Sequence, residues 1–199
     1  MKTLFFLGAC IFSFGSFAQG VVQFPVFNVL YLGYANRLEI SVPKDEGKYT
    51  VFAEGAILQK HETFYTVLVM DIKRATIGVL NEKGDTIAKQ EFLCRHLPNC
   101  QLYWGSAKNG EALLDYSETL RAGYPDFVHL TKDFIVVSYE VMFSGSDQTI
   151  EVHGNEISSS VIDYLKNLKT KTQVFVKARV VGPDGIQRTN SAFFVFDPL

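Results

Sequence analysis

The chain has 199 residues, with 19 Lys and Arg against 21 Asp and Glu and a formal net charge of -2. That balance leaves no basic face for nucleic acid and no polybasic run for anionic lipid. The length suits one or two ordinary domains with cores of their own, and the 17 Phe and 9 Tyr supply strand-forming material.

In chain order, the first element is a leader. Lys2 gives a short positive region, residues 4–14 are apolar, and Ser16-Phe17-Ala18 puts small residues at the two positions that a signal peptidase reads. This pattern predicts removal of residues 1–18, with cleavage between Ala18 and Gln19. An uncleaved anchor fits less well, because the apolar stretch falls short of the ~20 residues of a spanning helix. Acylation of Cys10 would leave an apolar region of only a few residues. No later segment has the apolar length of a membrane span, so the expectation is an exported chain, in the periplasm first, with secretion or surface attachment as alternatives.

The residues after the leader read as strands. Residues 37–42 alternate polar and apolar until Pro43, residues 48–53 do much the same, and residues 64–69 form a third β-rich stretch. Residues 74–80 and 86–92 flank Asn81-Glu82-Lys83-Gly84-Asp85, which is the signature of a hairpin with a Gly-containing loop. Residues 94–100 look like a connector and place a domain boundary near residue 100. Beyond it, residues 134–143 form a long strand, Ser144 to Asp147 turn the chain, and residues 148–152 form the next strand. Then the period changes. Ser158 can cap a helix whose stripe is Val161, Ile162, Leu165 and Leu168. Residues 172–181 form a strand with Val174, Val176, Ala178 and Val180 on one face and Gln173, Phe175, Lys177 and Arg179 on the other. Gly182-Pro183-Asp184-Gly185 is a turn, and residues 191–196 close the chain. Strands spaced by about 10–15 residues with turn residues between them predict an all-β fold. The expected architecture is two consecutive Ig-like β-sandwich domains: residues 19–99, and residues 100–199 with one short helix.

Two cysteines, Cys94 and Cys100, lie beyond the leader, and an oxidising compartment favours a disulfide between them. Metal binding would need more Cys or His at matched spacing, and only His96 lies nearby. The four His, at positions 61, 96, 129 and 153, make no helical metal pair. No nucleophile elbow, phosphate loop or dinucleotide fingerprint occurs, so no cofactor, metal or catalytic residue is assigned. The pairs Asp115 with Glu118 and Asp126 with Asp133 have the chemistry of a glycosidase acid and base, but nothing sets them on facing walls, and solvated loop carboxylates explain them better. Tyr103 and Trp104, with Tyr116 and Tyr124, lie in the less regular middle segment. They could stack on sugars or anchor a protein partner, or simply fill the junction between the domains.

Three stretches in order resemble the distal domains of GldM, a family of gliding motility and type IX secretion. Residues 28–36 and 38–43 resemble the penultimate domain. Residues 92–104, with Arg95 and Pro98, resemble the linker. Ser138-Tyr139-Glu140-Val141, Gly154-Asn155, the helix ending at Leu168 and residues 176–185 resemble the C-terminal domain. The resemblance implies β-sandwich domains that contact an envelope protein, such as a secretion-ring or gliding component, with a homodimer as a further option. The family's motor helix and long helical part have no counterpart here, so energy transduction is not implied. Cys94 and Cys100 depart from the family's linker, and residues 106–130 match it poorly.

The expected function is therefore non-catalytic binding, with Lys177, Arg179, Pro183 and Asp184 as the first candidate surface and Tyr103 and Trp104 as the second. The alternative from a different class is a carbohydrate- or surface-binding sandwich.

Overall fold

β-rich runs, alternating cleanly over Asn36–Ser41 and Thr172–Val181, turn most of the described chain into strands, and the turn residues between them fix the pairing. The computed structural model describes residues 21–23, 28–42, 47–71, 73–114, 116, 119–128, 130 and 134–198. The expected leader with its Ala18–Gln19 cleavage site lies outside the described residues, as do Pro43, Asp115, Glu118, His129 and Asp133.

The first half forms two four-stranded sheets. One has the order β1 (Val21–Gln23), β3 (Asn36–Ser41), β6 (Tyr65–Leu68), β5 (Ile57–Lys60). The other has the order β2 (Val29–Tyr31), β8 (Thr86–Arg95), β7 (Arg74–Leu80), β4 (Thr50–Glu54), with β2 parallel to β8. Their inner faces share a core of Leu30, Leu38, Val67, Val69, Ala75, Ile77, Val79, Phe92 and Cys94. The expected β7–β8 hairpin forms: Asn81 Oδ1 accepts from the amides of Lys83 and Asp85, and Gly84 takes φ +86°.

Asn36 is the keystone of the β2–β3 turn. Its side chain is fully buried, its Oδ1 accepts from the Tyr31 amide at 2.8 Å, and its Nδ2 lies within 3.1 Å of the carbonyls of Tyr31, Tyr34 and Val67. A side chain thus takes the place of a missing ladder bond and ties the two sheets together.

The second half has one four-stranded sheet, ordered β12 (Thr149–His153), β11 (Ile135–Phe143), β13 (Thr172–Val181), β14 (Gln187–Phe196). A two-stranded ribbon of β9 (Gln101–Trp104) and β10 (Leu120–Gly123) and the helix α1 (Ser159–Asn167) pack against its inner face. Ser158 caps α1 by accepting from the Val161 amide, and Val161 and Leu165 are fully buried. Tyr139, 1% exposed, donates its hydroxyl to the Glu156 carbonyl at 2.7 Å, and burial pushes that phenol up to about 12.

The fold is all-β and sandwich-like, with one helix among the described residues, as the alternation predicts. No described helix is long and apolar enough to cross a membrane. Several short strands escape the sequence reading. β5, β9 and β10 each have four residues, too few for a period to stand out from the flanking chain. β14 also begins at Gln187, four residues before the apolar run.

One expectation is corrected. Cys94 and Cys100 are free thiols, not a disulfide. Cys94 points into the first core and Cys100 into the second, so the six-residue step between them carries each side chain into different packing. Apolar burial, not bridging, accounts for both cysteines.

Candidate functional site

The regular alternation of β13 builds one surface of the second half. Val174, Val176, Ala178 and Val180 are at most 1% exposed and face the core. Gln173, Phe175, Lys177 and Arg179 therefore stand on the opposite, outer face, exposed along the strand. The register sets their neighbours. Phe175 sits between Met142 and Phe193, Lys177 between Glu140 and Ser191, and Arg179 between Ser138 and Thr189. Glu140 is in turn opposite Glu151.

The two cations differ. Arg179 donates from Nε to Ser138 Oγ at 2.8 Å and lies 3.7 Å from Glu151 Oε1, so its guanidinium is held against the sheet. Lys177 makes no ion pair among the described residues. Beside it, Phe175 and Phe193 pack with ring centroids 6.2 Å apart, and Phe175 remains 39% exposed. A shallow groove of about 360 Å³ runs between these rings, Met142, Asn109, Lys177 and Ser191. Its rim is rigid: Asn109 Oδ1 accepts from the Phe193 amide at 2.9 Å, and the segment around Gly110 to Leu113 pairs with the edge of β14. This face thus sets two aromatic rings beside an ammonium that has no ion pair among the described residues.

Pro183 and Asp184 lie elsewhere. They form the β13–β14 turn, but the Asp184 carboxylate is 0% exposed instead of projecting into solvent. Arg188 clasps it through Nη1 to Oδ1 at 2.8 Å and Nη2 to Oδ2 at 2.5 Å. Burial would raise this carboxyl, but hydrogen bonds from Arg188 and the Ile186 amide outweigh it and hold the group below its ordinary value. The structure thus does not join Asp184 to Lys177 and Arg179 in one exposed patch. A hairpin read in isolation looks like a protruding tip; here Gly185 and Ile186 are exposed, but the Asp184 side chain is turned inward.

The aromatics of the middle segment also separate. Trp104 is 1% exposed, packs edge-on to Phe194 at 5.7 Å and donates to the Tyr116 carbonyl at 3.3 Å. Tyr124 is 5% exposed and donates its hydroxyl to the Pro98 carbonyl at 2.7 Å, and burial raises its phenol pKa. Trp104 and Tyr124 are core residues in this fold, so neither ring is presented to a ligand. Tyr103 stays half-buried on the outer side of β9, with the Arg121 guanidinium 5.7 Å from its ring centre. It lines a groove of about 860 Å³ with Arg121, Phe127, Ile135 and Asn155. Phe127 and Ile135 are 79% and 65% exposed, and no sequence period singles them out, because Phe127 lies in the loop after β10 and Ile135 is the first residue of β11.

These features define an all-β, sandwich-like protein with two separate cores and an open aromatic and charged sheet face. Residues 20–95 match the family model of the GldM third domain, and over that span the resemblance read from the sequence holds. No curated protein matches the chain. Among solved structures, the FN1-FN3 domains of chicken CNTN1 are similar at 13% identity, over 90% of this chain and 64% of that one, with a TM-score of 0.31. The D00-D0 domain of intimin is similar at 12% identity, over 88% of this chain and 98% of that one, also with a TM-score of 0.31. The chain thus spans less than two thirds of the CNTN1 fragment, and TM-scores this low carry no argument.

Proposed function

We propose that this chain is a non-catalytic interaction module of the cell envelope that works with gliding or type IX secretion machinery. In this reading residues 1–18 are removed on export, and residues 19–99 and 100–199 act as two domains, the second related to the GldM C-terminal domain. The second domain binds an envelope protein through the outer sheet face around Lys177 and Arg179. The GldM third-domain match over residues 20–95 supports the setting. The observation that carries the binding surface is the exposed Phe175, packed against Phe193 and beside Lys177, which makes no ion pair among the described residues. A homodimer is compatible with this reading.

The carbohydrate-binding alternative needs exposed rings, and of the four candidate aromatics only Tyr103 and Tyr116 keep partial exposure. The two readings separate in one pair of assays: capture of partners from envelope extract by the mature chain, and a glycan screen with the same protein. Specific enrichment of an envelope protein with no glycan signal supports the interaction module. Glycan binding without a protein partner overturns it.

A further inference from the structure

We propose that the β13–β14 turn is a latch that holds the two cores as one rigid unit, with the buried Asp184–Arg188 pair as its bolt. This inference stands apart from the choice of partner.

The turn does not need the pair in order to form. The Gly182 amide donates to Ile186 O at 3.1 Å, the Gly185 amide to Gly182 O at 2.9 Å, and the Ile186 amide to Asp184 Oδ1 at 3.2 Å. At an ordinary hairpin tip Asp184 would sit in water, where an ion pair adds little. Here Asp184 and Arg188 side chains are 0% and 9% exposed. Removing two charges from water is costly, and the cost is met only by close, complete pairing. The arrangement therefore points to a role in fixing geometry.

The first half reaches this turn at Gly33. Gly33 follows β2 and is anchored there, since its amide donates to Val69 O at 3.1 Å and the Leu32 amide donates to Arg95 O at 2.9 Å. Gly33 has φ +62°, and a Cβ built on it would stand 3.0 Å from Asp184 O. Both its conformation and the close approach of the turn require glycine.

The connector is fastened as well. The carbonyl of Leu97 accepts from Arg188 at 3.4 Å, that of Pro98 from Tyr124 at 2.7 Å, and that of Cys100 from Asn190. Arg188 thus bonds both the turn and the connector. Two attachment points well separated in sequence, the Gly33 loop and residues 97–100, remove the hinge freedom that is the default between domains.

The test uses the chain from Gln19 onward, which lacks Cys10, carrying Lys83→Cys and Lys166→Cys, both exposed and one on each half. Spin labels are attached under native conditions, where Cys94 and Cys100 are buried. Pulsed dipolar spectroscopy should give one narrow distance distribution. Arg188→Met should broaden it roughly two-fold or more, as expected of two domains freed to move, with the circular dichroism unchanged. If Arg188→Met fails to fold, Gly33→Ala, which alters only the first-half side of the contact, should produce the broadening instead. A broad distribution in the parent chain overturns the latch, and so does an unchanged narrow one in the folded variants.

Discussion

Cys94 and Cys100 stand on either side of the connector and belong to different cores, each only 5% exposed. Burial pushes the Cys100 thiol up to about 11 and raises that of Cys94. The thiolate is the reactive form, so both thiols should be slow toward iodoacetamide in the native protein. Unfolding in guanidinium without reductant should release both to rapid labelling, and intact-mass measurement should count two adducts. Labelling of neither would mean a bridge that the packing does not predict.

Leu165 lies at the centre of the α1 stripe and is fully buried. Leu165→Ala should cost about 2–5 kcal/mol in urea unfolding, the usual price of a large-to-small change in a core. Lys166→Ala, one residue on and exposed, should change stability by less than ~0.5 kcal/mol. Similar small effects for both would place the helix at the periphery.

Asn36 makes a sharper prediction about side-chain chemistry. Its Nδ2 faces three carbonyl oxygens and its Oδ1 faces one amide. Each buried backbone group left unpaired costs about 1–3 kcal/mol, so Asn36→Ala should strongly destabilise the first half. Asn36→Asp should be no better despite its matching shape, because it turns a donor into a second acceptor against those carbonyls. Chemical denaturation followed by fluorescence and by hydrogen exchange of β2, β3 and β6 would check this. Near-parental stability of the Asp variant would contradict it.

The Asp184–Arg188 pair should be visible in acid. The folded carboxyl lies below its ordinary value of about 3.8. A depressed folded value contributes stability that is fully present above the unfolded value and is lost as pH falls through the folded one. The pair should therefore add nothing to the pH dependence between pH 6 and 8 and should steepen the loss of stability below about pH 4. Asp184→Asn should flatten that acid slope while lowering stability at pH 7 by about 3–5 kcal/mol, because it strands a buried guanidinium. An identical acid slope in parent and variant would remove Asp184 from the account.

How much of this could be read from the chain depends on the physics of each element. β13 and α1 were legible because each repeats one period over at least two turns or pleats, and burial follows the period residue by residue. β3 was legible for the same reason, β7 and β8 from the Gly-containing loop between two β-rich runs, and β6 from its β-rich composition. β9 and β10 were not, because four residues are too few for a period to stand out. The outer face with Lys177 and Arg179 followed from the period of β13 alone. The approach of Gly33 to the turn at Asp184 did not, because the two lie about 150 positions apart in sequence and only the long-range fold brings them into contact. Nor did the separation of Cys94 from Cys100, where proximity in sequence suggested a bond and the strand directions turn the side chains into different cores. Trp104 was ambiguous in the sequence, since a large ring has the same composition whether it anchors a partner or fills a core.

The central claim is that the second half binds a protein partner through the outer face of its sheet. Lys177→Glu with Arg179→Glu reverses the two cations without touching the inner face, where Val176, Ala178 and Val180 hold the core. Capture from envelope extract by the mature chain, with the retained proteins identified by mass spectrometry, tests this most directly. The account predicts an envelope protein that is retained by the parent, lost on the double variant and lost also on Phe175→Ala, with circular dichroism unchanged throughout. Undiminished capture by the folded double variant would contradict it and move the interface to the groove around Tyr103, Phe127 and Ile135.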